Sequence, residues 1–463
     1  MATDVLTTQF VNALRLSLSP TTAAVDRQAA TTFIQQLKED AAFLPVISVV
    51  LMSGGDEQQS ISLLTLTILS DWVQLWWNKV SESDQMGVRN LTCDLFSGPM
   101  GLSSSTAIRS KISVILAGIC ERQFPQCWPT LVEDLIKIWT ESPFERQDIV
   151  LKTLEYLSMD CIDSGFSSSL PTTRRAEIIA GLLAKQELLL HQAYNFLRMC
   201  LNNYSNNFGN EEGHRAQIMV SAVCNFLIPL SAFMKIDDMC CSANSRDFSL
   251  LLVQCISIPH VQLKAIEVLQ SILSHKMSYE LFVRLVAVLS TNPCNKLPED
   301  DDQSLSFQRV YGITLHSMLA KNTAHLLSHD FNRDPSNKAN IGAYFTIMAQ
   351  LLRQPYRRLS GDVIKDWSKI LKEESSSSIP ELAEMGMVVL QDLITKLKRP
   401  SCLPSPTDPA SYKHTAISAG WKFVCQNKTK RCTLKHCFVF SKVHTIHTIH
   451  TNIHITRRYK HDT

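Results

Sequence analysis

Residues 121–136 read ERQFPQCWPTLVEDLI, with Pro125 and Pro129 four apart between two long runs of apolar periodicity. Pro125 lacks a backbone donor, and its ring bars Phe124 from the α conformation, so a helix arriving over 105–123 stops there. Pro129 suits the first turn of a following helix over 129–141, where a missing N–H leaves nothing unpaired. Trp128 then plugs the elbow between the two helices. The alternative, a Trp that grips a peptide or cargo, is the rarer use of a large aromatic at a helix seam. Helix, sharp turn, helix is the unit that the rest of the chain repeats.

Outward from this elbow, helical periodicity runs almost unbroken to about residue 398. In 23–40, Val25, Ala29, Phe33 and Leu37 form an apolar stripe, and in 57–79 Ile61, Leu64, Ile68, Trp72, Val73 and Trp76 repeat it. Further helices are expected at 145–160, 172–200, 213–235, 260–276, 303–328, 340–353, 358–373 and 380–397. The breaks are short and rich in Pro, Gly, Ser and Asp: SGGD, SGPMG, SPFE, SSSLPTT, NPCNKLPEDDD and SSSSIP. Paired helices at a spacing of roughly 40 residues are the mark of HEAT-type repeats, which bury their core by stacking neighbours. The fold expected is all-α, a HEAT-repeat superhelical solenoid of antiparallel helix pairs with a disordered or irregular C-terminal tail.

Composition agrees. A chain of 463 residues is too long for one compact core, so it forms several domains or an extended array. Hydrophobic residues make up 45% of it, while the 15 glycines and the scarcity of hairpin signals argue against an all-β fold. A formal charge of +2 means that any nucleic-acid role rests on a locally basic surface. The start, MATDVLTTQF, lacks the basic and apolar segments of a signal peptide, and no apolar run reaches the ~18 residues that span a bilayer. The longest, MVSAVCNFLIPLSAFM at 219–234, is interrupted by Asn225 and Pro229. No membrane role is expected. Of the 14 cysteines, Cys93, Cys120, Cys200, Cys224 and Cys255 sit singly on apolar helix faces, as reduced core thiols do.

Residues 399–463 break the pattern. SCLPSPTDPASYKHT is proline-rich, and the end, KVHTIHTIHTNIHITRRYKHDT, is low-complexity. His444, His447, His450 and His454 lie near Cys425, Cys432, His436 and Cys437, but no C-x₂-C pair is present, and no metal site or cofactor is expected. The segment reads as a tail outside the family pattern, or as peptide encoded past a splice junction or frameshift.

Four stretches carry a resemblance. ERQFPQCWPTLVEDL resembles the exportin elbow, in which a basic-aromatic-Pro-Gln-x-Trp-Pro turn is followed by a Leu-rich helix. ILSDWVQLWWNKVSESD resembles an exportin second-repeat stretch ending in Trp-Asn, here Trp77-Asn78, and SLPTTRRAEIIAGL resembles the Pro-x-x-Arg-Arg opening of a long helix. IGAYFTIMAQLLRQPYRRLSGDVIKDWSKILKEE resembles a later repeat, with Gly342, Tyr344 and Trp367 in corresponding places. In order, and spread over most of 20–398, they are similar to the exportin-5 type of karyopherin. The resemblance implies a nuclear transport receptor that shuttles between nucleus and cytoplasm. Its implied partners are Ran-GTP, structured or double-stranded RNA such as microRNA precursors or tRNA, and nuclear pore proteins. It divides the chain into a Ran-binding arch of N-terminal repeats at 1–160, further exportin-type repeats at 161–398 and the tail at 399–463. Exportins continue for many more repeats, including those that clamp the end of the RNA.

No catalytic motif accompanies this. There is no G-x-x-x-x-G-K-[ST] loop, no G-x-S-x-G elbow and no H-E-x-x-H, so no enzyme is expected and GTP hydrolysis belongs to the partner. For RNA, phosphate contacts need Lys and Arg, and the candidates are Arg174, Arg175, Lys264, Lys276, Arg353, Arg357 and Arg358. A solvated charge on an outer face is the plain reading of each. For Ran, the candidates are Arg89, Glu133, Asp134 and Lys137, expected on second helices of early repeats that face the concavity. Their mixed charge suits a protein partner, although Glu133 and Lys137, spaced i,i+4, also read as a simple intrahelical pair. If both partners favour one curvature of the solenoid, each raises the affinity of the other. The rival readings are a karyopherin for protein cargo and a helical scaffold outside transport, which predicts neither nucleotide-dependent Ran binding nor salt-steep RNA binding.

Overall fold

The computed structural model describes residues 2–53, 59–103, 105–162, 170–234, 239–240, 247–258, 260–273, 275–290 and 302–353, together with Val388 and Gln391. No strand occurs among them. In chain order the helices are α1 (Ala2–Leu18), α2 (Ala24–Lys38), α3 (Phe43–Met52), α4 (Gln59–Trp76), α5 (Glu82–Ser97) and α6 (Thr106–Gln123). They continue as α7 (Leu131–Glu141), α8 (Phe144–Ile162), α9 (Thr172–Ala184), α10 (Gln186–Asn206), α11 (Glu211–Ser231) and α12 (Phe248–Ile256). The described part closes with α13 (Gln262–Leu273), α14 (Tyr279–Ser290), α15 (Asp302–Lys321), the short α16 (Thr323–Leu326) and α17 (His329–Arg333), and α18 (Pro335–Arg353).

Polar residues open several of these helices as capping chemistry requires. Ser81 accepts from the Asp84 N–H at 3.2 Å, Asn210 from Gly213 at 2.9 Å and Asp247 from Ser249 at 3.0 Å. Gly209, in the left-handed region at φ 86°, supplies the turn between α10 and α11, a conformation that a side chain resists.

The helices pack as hairpins in two rows. The second helices form one continuous row, α4 on α6, α6 on α8, α8 on α11, α11 on α13 and α13 on α15. First helices line the other side, α3 against α5, and α7 against α10, then α12, α14 and α18. Most helices therefore touch a hairpin mate and neighbours along a row, which is the contact scheme of a HEAT solenoid. Aromatic side chains fill the space between rows. Trp139 of α7 is fully buried and meets Phe196 of α10 edge-on at 5.3 Å and Phe226 of α11 at 6.3 Å. Polar links cross the second row: Arg109 of α6 pairs with buried Asp148 of α8 at 2.7 Å, and Lys152 joins the same carboxylate at 2.9 Å.

Three expectations shift. The stripe in α2 is Ala30, Ile34 and Leu37, while Val25 is 76% exposed. Residues spaced by four precess around a helix of 3.6 residues per turn, so Val25 and Ala29 have rotated out of the stripe. The helix expected over 172–200 is two, α9 and α10, broken at Lys185. Pro129 lies in the turn before α7, not in its first turn. Six helices among the described residues, α1, α3, α5, α12, α14 and the short α17, add to those expected from periodicity. Those expected at 358–373 and 380–397, and the tail at 399–463, fall outside the described residues apart from Val388 and Gln391.

Candidate functional site

The Pro-Trp-Pro elbow is a closed polar and aromatic knot. Phe124 leaves α6 in an extended conformation, its peptide bond to Pro125 is cis, and its ring is 1% exposed. The carbonyl of Gln123, at the end of α6, accepts from the N–H groups of Cys127 at 2.7 Å and Trp128 at 3.0 Å. The indole of Trp128 is buried, and its Nε1–H donates to Asp134 of α7 at 2.8 Å. Thr130 donates to the same carboxylate at 3.0 Å, and the Arg89 guanidinium of α5 lies 4.0 Å from the centre of the Trp128 ring. An aromatic face under a guanidinium, with the indole N–H satisfied, locks both the ring and the cation.

Most charges proposed for a partner are thus engaged inside the protein. Arg89 sits on Trp128, Asp134 holds the indole, and Glu133 pairs with Lys185 at the start of α10. The simple i,i+4 reading for Glu133 and Lys137 gives way to this inter-repeat pair, because the α9–α10 break brings Lys185 over α7. Lys137 is exposed. The helices that carry these four residues, α5 and α7, are the first of their hairpins; the expected placement on second helices is not met.

Among the basic residues considered for RNA, Arg174 is committed to structure. Its Nε donates to the Glu121 carbonyl at 2.8 Å, and its terminal nitrogens bond the Phe124 carbonyl, Gln126 and Glu177. In this way a side chain of α9 caps the C-terminal carbonyls of α6, fifty residues earlier. Arg175, beside it, is half-buried and 3.4 Å from the Thr172 hydroxyl. Lys264, on α13 of the second row, pairs with Glu267 at 3.1 Å, and Lys276 is exposed in the turn after α13. Arg353 ends α18, whereas Arg357 and Arg358 lie outside the described residues.

The structure adds residues that periodicity alone did not single out. Along the second row, Lys111 and Arg122 of α6 and Lys152, Glu155 and Asp160 of α8 are half-exposed, as are Lys264 and Glu267 of α13. Burial pushes the Glu155 carboxyl up, and the nearby charges of Lys152 and of Lys264 on α13 oppose that rise. At the ends of α6 and α8, burial and a hydrogen bond with Asp160 push the Glu121 carboxyl up to about 9, against the weaker pull of Arg122. Arg122 lies 3.6 Å from Glu121 and reaches the carbonyls of Gly118 at 2.7 Å and Gln74 of α4 at 3.1 Å. The buried Glu121 carboxyl therefore keeps its proton at neutral pH and can donate it to Asp160.

Burial pushes the Cys161 and Cys200 thiols up to about 12, which keeps them protonated and poor nucleophiles. Among the described residues no group of three or more His, Cys, Asp or Glu is placed to hold a metal ion, and no helix is long and apolar enough to cross a membrane.

Comparison with known proteins finds a family model over part of the chain and several distant relatives. Residues 105–269, which run from α6 to α13, match the family model described as "Exportin 1-like protein". The chain is 22% identical to "Exportin-5" of Dictyostelium discoideum over 433 residues, covering 89% of this chain and 36% of that protein. It is 24% identical to "Exportin-5" of Mus musculus over 206 residues, covering 43% of this chain and 16% of the relative. It is 26% identical to "Protein HASTY 1" of Arabidopsis thaliana over 172 residues, covering 37% of this chain and 14% of the relative. The chain thus spans about a third or less of the length of these curated relatives. A crystal structure of importin beta aligns with 89% of this chain and 53% of its own, at a TM-score of 0.40 and 13% identity.

Proposed function

On the premise that this chain is exportin-like through its central helices and related to exportins along most of its length, we propose that it acts in nuclear transport as a Ran-GTP-dependent receptor for structured RNA. The observation that carries the reading is that the exportin-like segment, 105–269, coincides with the unbroken second row from α6 to α13. That row presents Lys111, Lys152 and Lys264 at half-exposed positions. Cations spaced along a row of helices track phosphates without reading bases, which is what recognition of double-stranded RNA by shape requires. Of the residues considered for RNA, Arg174 is the one committed to the elbow; Lys264, Lys276, Arg175 and Arg353 stay in the set, as do Arg357 and Arg358, which lie outside the described residues.

Ran-GTP is assigned to the N-terminal division, 1–160, ahead of the further repeats of 161–398. Within the set Arg89, Glu133, Asp134 and Lys137, Lys137 and Asp134 are exposed, and Arg89, Glu133 and Asp134 also hold the surface together. The chain contributes no catalysis, and the receptor shuttles between nucleus and cytoplasm with nuclear pore proteins as transient partners. Both partners bias one curvature of the helical stack, so each strengthens the other.

One observation favours a second reading, transport of protein cargo. Lys152 is neutralised by Asp148 and Lys264 by Glu267, so the row is of mixed charge and suits a protein surface as well as a phosphate backbone. Co-precipitation of a double-stranded RNA hairpin by the full chain separates the two. RNA retained only with Ran-GTP, and lost steeply as salt rises from about 50 to about 200 mM, is the expected result. RNA retention that ignores Ran-GTP, or no retention with it, overturns the RNA reading and leaves protein cargo in its place.

A further inference from the structure

Helix α9 stands apart from the two rows. Its neighbours α8, α10 and α11 belong to the continuous packing, yet the one helix against which α9 makes extensive contact is α8. Only Ile178 and Leu182 of its side chains are fully buried, whereas α10 buries seven residues and α11 twelve. A helix of 13 residues does not hold itself together in water, so its anchoring decides when it opens.

Besides its packing on α8, several of its polar ties reach the elbow between α6 and α7. Arg174 caps the Glu121 and Phe124 carbonyls, Gln126 donates to Glu177 at 2.8 Å, and Lys185, just past the helix, pairs with Glu133. Between these polar ties Gly181 lies flat on the Phe124 ring. A Cβ at Gly181 would stand 2.7 Å from Cε1 and 2.8 Å from Cζ of that ring, with Pro125 behind it at 3.4 Å. The ring is itself enclosed and cannot swing away, so only a residue without a side chain permits this approach.

We propose that α9 is a strap that clamps the α6–α7 turn and opens as a unit, without unfolding of the helical rows beneath it. A segment with few buried apolar contacts and a small set of polar ties opens at a lower free energy than the core against which it lies. Opening withdraws the guanidinium from the last carbonyls of α6, uncovers the Phe124 ring and frees the angle between the hairpins on either side of the elbow. The strap lies within the exportin-like segment, but the inference rests on its packing alone and stands whichever partner the chain binds.

Hydrogen exchange on the full chain tests it. In the wild type, amides of 172–184 exchange at least ~10-fold faster than those of α10 and α11 under native conditions. Gly181→Val, which wedges the strap off the Phe124 ring, speeds exchange in 172–184 by a further ~10-fold or more, while α11 and α13 change less than ~2-fold. Arg174→Ala gives the same pattern with no added bulk, and Gly342→Ala, at a helix position with open space around it, changes neither region. Exchange of α9 in step with α8, α10 and α11, in the wild type or in Arg174→Ala, overturns the proposal. So does protection of 172–184 that neither substitution alters.

Discussion

Replacing Glu121 with glutamine should stabilise the protein at neutral and alkaline pH and flatten its pH response. In the folded chain the Glu121 carboxyl keeps its proton up to about 9, because it is buried and hydrogen-bonded to Asp160. In the unfolded chain it loses that proton near the ordinary carboxyl value of about 4.3. Between the two, the folded state binds one proton more than the unfolded state, so stability falls as pH rises. The contribution of this group is complete below the ordinary value and is gone once the pH has passed the folded one. Each pH unit inside the window removes at most ~1.4 kcal/mol. From the ordinary value to pH 7 this gives an upper bound of ~3–4 kcal/mol, and Arg122 at 3.6 Å, with local relaxation, brings the expectation to ~1–2 kcal/mol. Glutamine fills the same space, donates to Asp160 and needs no proton. Thermal unfolding at about pH 5 and about pH 8 is the assay, and for a chain this long 1 kcal/mol moves the midpoint by roughly 1 °C. Glu121→Gln raises the midpoint by ~1–2 °C at the higher pH and leaves it nearly unchanged at the lower one. Parallel pH curves for the two proteins, or a variant less stable at pH 8, refute a protonated Glu121.

Trp139→Ala removes the aromatic that joins α7, α10 and α11, and should cost ~3–5 kcal/mol, read as a fall in the thermal midpoint with Phe196 and Phe226 left facing a cavity. Arg109→Met leaves Asp148 with Lys152 as its remaining ion-pair partner, and should cost ~2–3 kcal/mol by the same measurement, less than the loss of a buried partner with no substitute. Trp128→Phe keeps the aromatic face under Arg89 but drops the bond to Asp134; it should cost ~1 kcal/mol and leave partner affinity unchanged, since the elbow is architectural. A tenfold loss of affinity in a variant of near-native stability would move Trp128 into the binding surface.

The helical architecture was readable from punctuation. Pro125 and Pro129 marked the elbow, and Phe124 and Trp128 are buried there as apolar neighbours of a chain reversal should be. Phase was harder to read. Val25, Ala29, Phe33 and Leu37 made a plausible stripe, but the face that packs is Ala30, Ile34 and Leu37, because the true period is shorter than four. The break at Lys185 has no Gly or Pro to announce it; contacts of α9 with a turn some fifty residues earlier impose it against local propensity. The same distance hid the roles of the charges. Arg174 looks like any surface arginine until the carbonyls of Glu121 and Phe124 are placed under it, and Arg89 until Trp128 is. Lys264 is legible from charge alone, whereas Lys152 joins it only once the packing sets α8 and α13 on either side of α11.

The central claim is that this stack of hairpins is a transport receptor governed by the nucleotide state of Ran. Equilibrium titration of the full chain with Ran carrying a non-hydrolysable GTP analogue, and in parallel with Ran-GDP, tests it most directly. The account predicts binding of the triphosphate form at least ~10-fold tighter than the diphosphate form, a coupling of ~1.4 kcal/mol or more. Equal affinity for the two forms, or no binding of either at ~10 µM, contradicts it.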